Sequence, residues 1–276
     1  MKIVLYFEGN GSMLADEIAG WTMRWHLSLY KSTEYEYIHI TQPVVDYQNR
    51  DRTMDEDYSL SDRAFYQRLL AQLEPYLSLT NAEIYLVGFS LGASVILGLV
   101  TCMANNSSIP TNMEIITLNS DVFFPNYDLD AWSAGDTFTD WSDGLKYEEI
   151  RNLQKHLKKT RTKWHHVFNS FDPINYPARF RRYKFIRFYL LDKHYPRQYP
   201  LPILNHYYIL NPIYSLVINN IIGKVNDGFM QAATMDAAKL VDQRTDLVIR
   251  PPSLTGRIIQ SSRSLLGSQA PKSLTC

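Results

Sequence analysis

Short apolar runs alternate with longer segments of helical spacing along the first two-thirds of the chain. Residues 2–7 (KIVLYF) form an apolar run stopped by Gly9-Asn10-Gly11, which predicts a buried strand and a turn. Leu14, Ile18, Trp21, Trp25 and Leu29 then recur every three or four residues and mark one face of a helix. Residues 35–40 (YEYIHI) alternate and are rich in β-formers, so they predict a second strand. The charged stretch 46–60 predicts a surface loop. Ser61-Asp62 can cap a helix whose inner face is Phe65, Leu69, Leu73 and Leu77. Residues 83–87 (EIYLV) predict a third strand, and 91–105 a helix with Ala93, Ile96, Leu97 and Val100 inward. Residues 113–118 (MEIITL) and 165–169 (HHVFN) predict a fourth and a fifth strand.

Strand and helix in alternation is the pattern of a mostly parallel sheet flanked by helices, an α/β fold. Residues 122–162 interrupt it. They hold Trp132, Phe138, Trp141 and Tyr147 among acidic residues, then a basic helix-like stretch, and read as an inserted, lid-like segment. Residues 176–202, dense in Tyr, Phe and Arg, read as irregular. One domain over residues 1–250 is expected, with a Ser-rich flexible tail over 251–276.

Composition narrows the possibilities. The 276 residues are 45% hydrophobic, enough for one large core. Lys plus Arg total 28 and Asp plus Glu total 28, so no polybasic footprint points to nucleic acid. Two cysteines, Cys102 and Cys276, support neither a disulfide scaffold nor a cysteine-based zinc site. Residues 84–104 carry no charge and are long enough to span a bilayer. Gly88, Ser90 and Gly92 in their midst suit a sharp turn between a buried strand and a buried helix better than a continuous span. The apolar start is too short for a secretory signal, so the cytoplasm is the expected compartment.

The sharpest chemical signal is Gly88-Phe89-Ser90-Leu91-Gly92, a G-x-S-x-G motif with a predicted strand before it and a helix after it. Such a turn lifts a serine hydroxyl above the sheet, at the positive end of the helix. A serine nucleophile needs a base, and the base needs an acid to orient it. In this arrangement the chain order is Ser, then Asp or Glu, then His. Asp172 follows the strand HHVFN and is the candidate acid. His206, in Leu204-Asn205-His206-Tyr207-Tyr208, is the candidate base. His165 and His166 precede the acid, His156 lies in the inserted helix, and His194 lies in a basic stretch read as an exposed loop. The oxyanion of acyl transfer needs donors already aimed. The Leu91 N–H is one candidate, and Asn10, in the turn after the first strand, is the second.

With these residues in place, the chain resembles the α/β-hydrolase superfamily in its serine esterase and lipase branch, over residues 2–222. It is most similar to a bacterial group whose first retained strand ends in His-Gly-x-Asn; here the segment is Glu8-Gly9-Asn10-Gly11, with Glu8 in place of the histidine. Ser170-Phe171-Asp172 resembles the group's acid segment, and His206-Tyr207-Tyr208 its base segment. Asn119-Ser120-Asp121 resembles a strand end that carries an Asp, which makes Asp121 a reserve acid. The resemblance implies a carboxylic ester hydrolase working through an acyl-enzyme on Ser90, with no metal and no organic cofactor. Its substrate would be a small-molecule or lipid ester. Arg179, Arg181, Arg182, Lys184 and Arg187, set among aromatic residues, suggest peripheral contact with a membrane surface. A non-catalytic binding protein of the same fold is the main alternative. An acyltransferase or a peptidase would use the same residues.

Overall fold

The computed structural model describes residues 1–7, 36–40, 63–119, 147–172, 183, 185–194 and 212–243. Six strands are present among them: β1 (Lys2–Phe7), β2 (Glu36–Ile40), β3 (Glu83–Phe89), β4 (Met113–Leu118), β5 (Trp164–Phe168) and β6 (Ile186–Leu190). They pair in the order β2-β1-β3-β4-β5-β6, every pair parallel. The chain places β2 on one side of β1 and then β3 on the other. The order therefore reverses at β1, and in open parallel sheets such a reversal is where ligands bind, outside the carboxyl ends of the strands.

Helices cover both faces, which is why β1 and β3 are almost continuously apolar. On one face Ile3, Leu5, Ile84, Leu86, Ile115, Trp164 and Phe168 pack against α1 (Arg63–Leu77), α2 (Leu91–Asn105) and α3 (Tyr147–Thr160). On the other, Val4, Tyr6, Tyr85, Val87, Ile116, Leu118, Val167 and Tyr189 pack against α4 (Pro212–Ile222) and the start of α5 (Gly228–Gln243). The uncharged α2 is buried along most of its described length, between the sheet and its neighbouring helices. A Cβ at its Gly98 would collide with the Tyr66 ring and hydroxyl, so glycine is what allows α1 to approach. No described helix is long and apolar enough to cross a membrane.

Two segments differ from the sequence expectation. The stretch 176–202 is not irregular throughout, because Ile186–Leu190 is the edge strand β6. Its alternation is disguised by Arg187, which is exposed where an edge strand allows it. Part of the expected insertion at 122–162 belongs to the helical layer of the fold. Helix α3 lies in the crossover between β4 and β5, and its Leu153 and Leu157, one turn apart, are buried in the core. Residues 120–146, the expected helix at 14–31 and the tail beyond 250 lie outside the described residues.

One buried polar cluster interrupts the second core. His165 Nε2 lies 3.3 Å from Glu114 Oε2, and Nδ1 lies 3.0 Å from the Tyr189 hydroxyl. A carboxylate can only accept, so the neutral ring carries its proton on Nε2 and accepts from Tyr189 at Nδ1. Burial holds the imidazole pKa below its ordinary value, against the upward pull of Glu114; Arg187 and Lys163 also push it down. For Glu114, burial raises the carboxyl pKa, but the hydrogen bond and charge of His165 and the nearby Lys163 outweigh it and the net shift is downward. Below about pH 6.5 an unfolded chain takes up a proton that folded His165 refuses. Stability therefore falls as pH drops through that value, with a slope of up to about 1.4 kcal/mol per pH unit. Glu114 adds a second loss below about pH 4.3, as the folded carboxylate is finally protonated. Urea unfolding at pH 7.5 and 5.5 is expected to show the first loss, and His165→Gln to reduce it. An equal midpoint for the native chain at both pH values would refute this account.

Candidate active site

The elbow begins with the close fit of Gly88. A Cβ there would lie 2.7 Å from Ile96 Cδ1 and 2.8 Å from the backbone of Gly92 and Ala93. Two of those three contacts are backbone, which cannot swing aside, so only glycine lets β3 turn this tightly into α2. Ser90 follows with φ 51° and ψ −120°, a conformation that strains any residue with a β-carbon. Its N–H donates to the Leu118 carbonyl at 3.1 Å, and its own carbonyl accepts from Ala93 N–H at 3.1 Å. The serine is thus pinned between the end of β4 and the first turn of α2. Its side chain makes no capping bond to that helix, although serine is a favoured N-cap residue. Ser90 is half-buried at this turn.

The strand ends beside it are level. Phe89 pairs with Leu118, and Leu118 with Val167, so the carboxyl ends of β3, β4 and β5 share one rim. Asp172 lies four residues beyond β5 on that rim and is buried, with 2% of its surface exposed. Strands β3 and β5 are separated by β4 alone, which puts their ends about 10 Å apart. A gap of that order has room for one imidazole between a hydroxyl and a carboxylate.

The fold is that of the α/β-hydrolases. The parallel sheet, its order reversal at β1 and the strained serine between β3 and α2 carry that statement. No family model matches the chain, and no curated protein matches it in sequence. Solved structures match its shape at low identity. MenH from S. aureus is 14% identical with a TM-score of 0.46, over 82% of this chain and 95% of that one. YbtT, a type II thioesterase from the yersiniabactin NRPS/PKS biosynthetic pathway, is 13% identical with a TM-score of 0.46, over 84% and 94%. RedJ, a thioesterase from the prodiginine biosynthetic pathway in Streptomyces coelicolor, is 16% identical with a TM-score of 0.43, over 80% and 84%.

The remaining candidates divide in two. Leu91 is the first residue of α2, where a backbone N–H has no helical carbonyl four residues back to bond, which is the placement an oxyanion donor needs. Strand β1 ends at Phe7, paired with Gly88 of the elbow; Asn10, three residues on, lies outside the described residues. So do Asp121 and His206. His165 and His166 are buried in β5, the strand the sequence predicts there.

The structure adds the position of His194: it ends a 3₁₀ turn, Asp192–His194, separated from β6 by one residue. Strands β5 and β6 are parallel neighbours, so this turn stands on the same rim as Asp172. Asp192 reaches across, its Oδ1 accepting from Ser170 N–H at 2.7 Å and its Oδ2 from the Ser170 hydroxyl. Ser170 is two residues from Asp172, and Asp192 is two residues from His194. The period-two pattern of Ile186, Phe188 and Leu190 is the signal that would have revealed the strand, and with it the position of His194.

Below the rim lies a buried polar network. Tyr214 Oη, from α4, donates to Asn119 Oδ1 at 2.8 Å. Asn169 Nδ2 is 3.4 Å from the same oxygen and 3.3 Å from Tyr214 Oη, while Asn169 Oδ1 accepts from Phe171 N–H at 3.1 Å. Asn119 has φ 42°, a conformation asparagine tolerates better than most residues. These bonds hold the ends of β4 and β5 together directly under the candidate site.

The rings of the Arg-rich stretch face inward where they are described. Tyr183 packs edge-on to Phe185, Phe185 edge-on to Trp164, and Phe188 edge-on to Phe168 and His166. These rings are part of the core.

Proposed function

We propose that this chain is a serine hydrolase of carboxylic esters that works through an acyl-enzyme on Ser90. The backbone of Ser90 supports the reading best: a non-glycine residue held at φ 51° in a strand-to-helix turn, on the rim that also carries a buried Asp172 with one strand between them. In the proposed cycle His206 takes the Ser90 proton as Oγ attacks the ester carbonyl. The Leu91 N–H and a donor at Asn10 receive the oxyanion, and the alcohol leaves with the proton returned by His206. Asp172 holds the imidazole in one tautomer and stabilises its cation. Water then attacks the acyl-enzyme with His206 again as base. The chemistry needs only these side chains, and lipid or other acyl esters are the substrates we favour.

His194 is a second reading for the base, favoured by its place shortly after β6 and by the Asp192–Ser170 tie that brings its turn to the acid loop. Fluorophosphonate labelling followed by peptide mapping tests the core of the proposal: an adduct on Ser90 is expected. A folded protein without that adduct would favour the non-catalytic binding role. Hydrolysis of p-nitrophenyl esters by His206→Ala and His194→Ala then separates the bases. The variant that loses roughly 10⁴- to 10⁶-fold in turnover has lost the base. Rates across acyl chain lengths define the pocket, and a sharp optimum at two carbons would count against lipid esters.

A further inference from the structure

We infer that Asp192 is a positioning residue that clamps the acid loop, an inference that rests on the hydrolase reading for its effect on turnover. Both carboxylate oxygens of Asp192 are taken by one residue, Ser170, through its N–H at 2.7 Å and through its hydroxyl. Beside this clamp the ladder between β5 and β6 continues for one further bond, from Leu191 N–H to the Phe168 carbonyl at 3.0 Å. Every residue between β5 and Asp172 is thereby held. Asn169 is tied to Asn119 and Tyr214, Ser170 to Asp192, and Phe171 N–H to the Asn169 side chain. The clamp has its own anchor, because the adjacent Lys193 Nζ lies 2.7 Å from Asp236 Oδ2 on α5. Ser170 lies 22 positions before its partner in the chain, so local sequence does not impose this contact.

A carboxylate suits this task. Two donors converge on it, and its two oxygens can accept both at once. An amide at the same position offers one acceptor, yet the serine hydroxyl can turn to accept from the amide nitrogen. Asp192→Asn therefore keeps most of the clamp, and Asp192→Ala removes it. A displacement of about 1 Å at a reacting group lowers turnover by about 10²-fold.

The test uses the full-length chain with Asp192→Ala, Asp192→Asn and Ser170→Ala. In Asp192→Ala, kcat on a p-nitrophenyl ester is expected to fall by about 10²-fold with KM within about threefold. Asp192→Asn should recover to within about tenfold of the native rate, and Ser170→Ala, which keeps the N–H bond, should fall between them. Hydrogen exchange of the peptide spanning 169–172 should accelerate by at least about tenfold in Asp192→Ala and much less in Asp192→Asn. Unchanged exchange there in folded Asp192→Ala would overturn the clamp, and so would unchanged kcat. Asp192→Asn as inactive as Asp192→Ala, with native exchange, would overturn a positioning role in favour of a chemical one. If Asp192→Ala does not fold, the exchange and rate of Ser170→Ala and Asp192→Asn decide the same question. If the native protein neither hydrolyses ester nor labels at Ser90, the hydrolase reading fails, and the exchange result alone decides the clamp.

Discussion

Replacing Ser90 by alanine is expected to lower ester turnover by roughly 10⁴- to 10⁶-fold and to abolish fluorophosphonate labelling. Stability should change little, because alanine keeps the β-carbon and with it the strain at φ 51°. Ser90→Gly should be equally inactive but behave differently on heating. Releasing a residue from that region recovers about 1–3 kcal/mol. The greater freedom of glycine in the unfolded chain takes back about 0.5–1 kcal/mol. The balance is a stabilisation of about 1 kcal/mol, or a rise in melting temperature of about 2–4 °C for a chain of this size. A serine that is inert and also gives up no strain, with Ser90→Gly melting lower than native, would make the elbow a packing turn and remove the main support for the proposed chemistry. The paired result, activity lost and stability gained, is difficult to reconcile with any purely structural role.

Asp172→Asn should lower kcat by about 10⁴-fold with KM little changed. The amide can present its NH₂ to the ring and so select the tautomer whose proton sits on the wrong nitrogen. The buried site is the reason the effect should be large: with 2% of Asp172 exposed, water is poorly placed to substitute for the missing acceptor. Asp121→Asn is the matched comparison. Near-native activity in Asp172→Asn together with a collapse in Asp121→Asn would move the acid to Asp121 and refute the present assignment. The same pair of variants gives a second check, since Asp172 is expected to matter to the rate and not to the binding of a neutral ester.

Much of the sheet was legible because parallel strands buried on both faces leave a strong mark. KIVLYF, EIYLV and MEIITL need only a count of consecutive apolar residues, and β1, β3 and β4 lie where that count puts them. The elbow was legible for a different reason. Gly88 and Ser90 answer to a local constraint, a turn too tight for a β-carbon at one position and strained at the next. Strand β6 was hidden because an edge strand need bury only part of its surface. Arg187 and the surrounding basic residues therefore diluted its alternation, and His194 was set aside with it. Helix α3 read only as a basic helix-like stretch, because Leu153 and Leu157 stand among charged residues and do not say what they pack against. Core helix and lid share the same periodicity.

From its own pattern the chain settled that the segments of β1 to β5 become strands, that they lie parallel under helices, and that Ser90 stands at a strained turn, because backbone sterics and apolar periodicity act over a few residues. Tertiary structure alone decided the order β2-β1-β3-β4-β5-β6 and the grip of Asp192 on Ser170. Those depend on groups far apart in sequence whose meeting is set by how the layers pack, and hydrogen-bond partners of that kind leave no periodic trace along the chain.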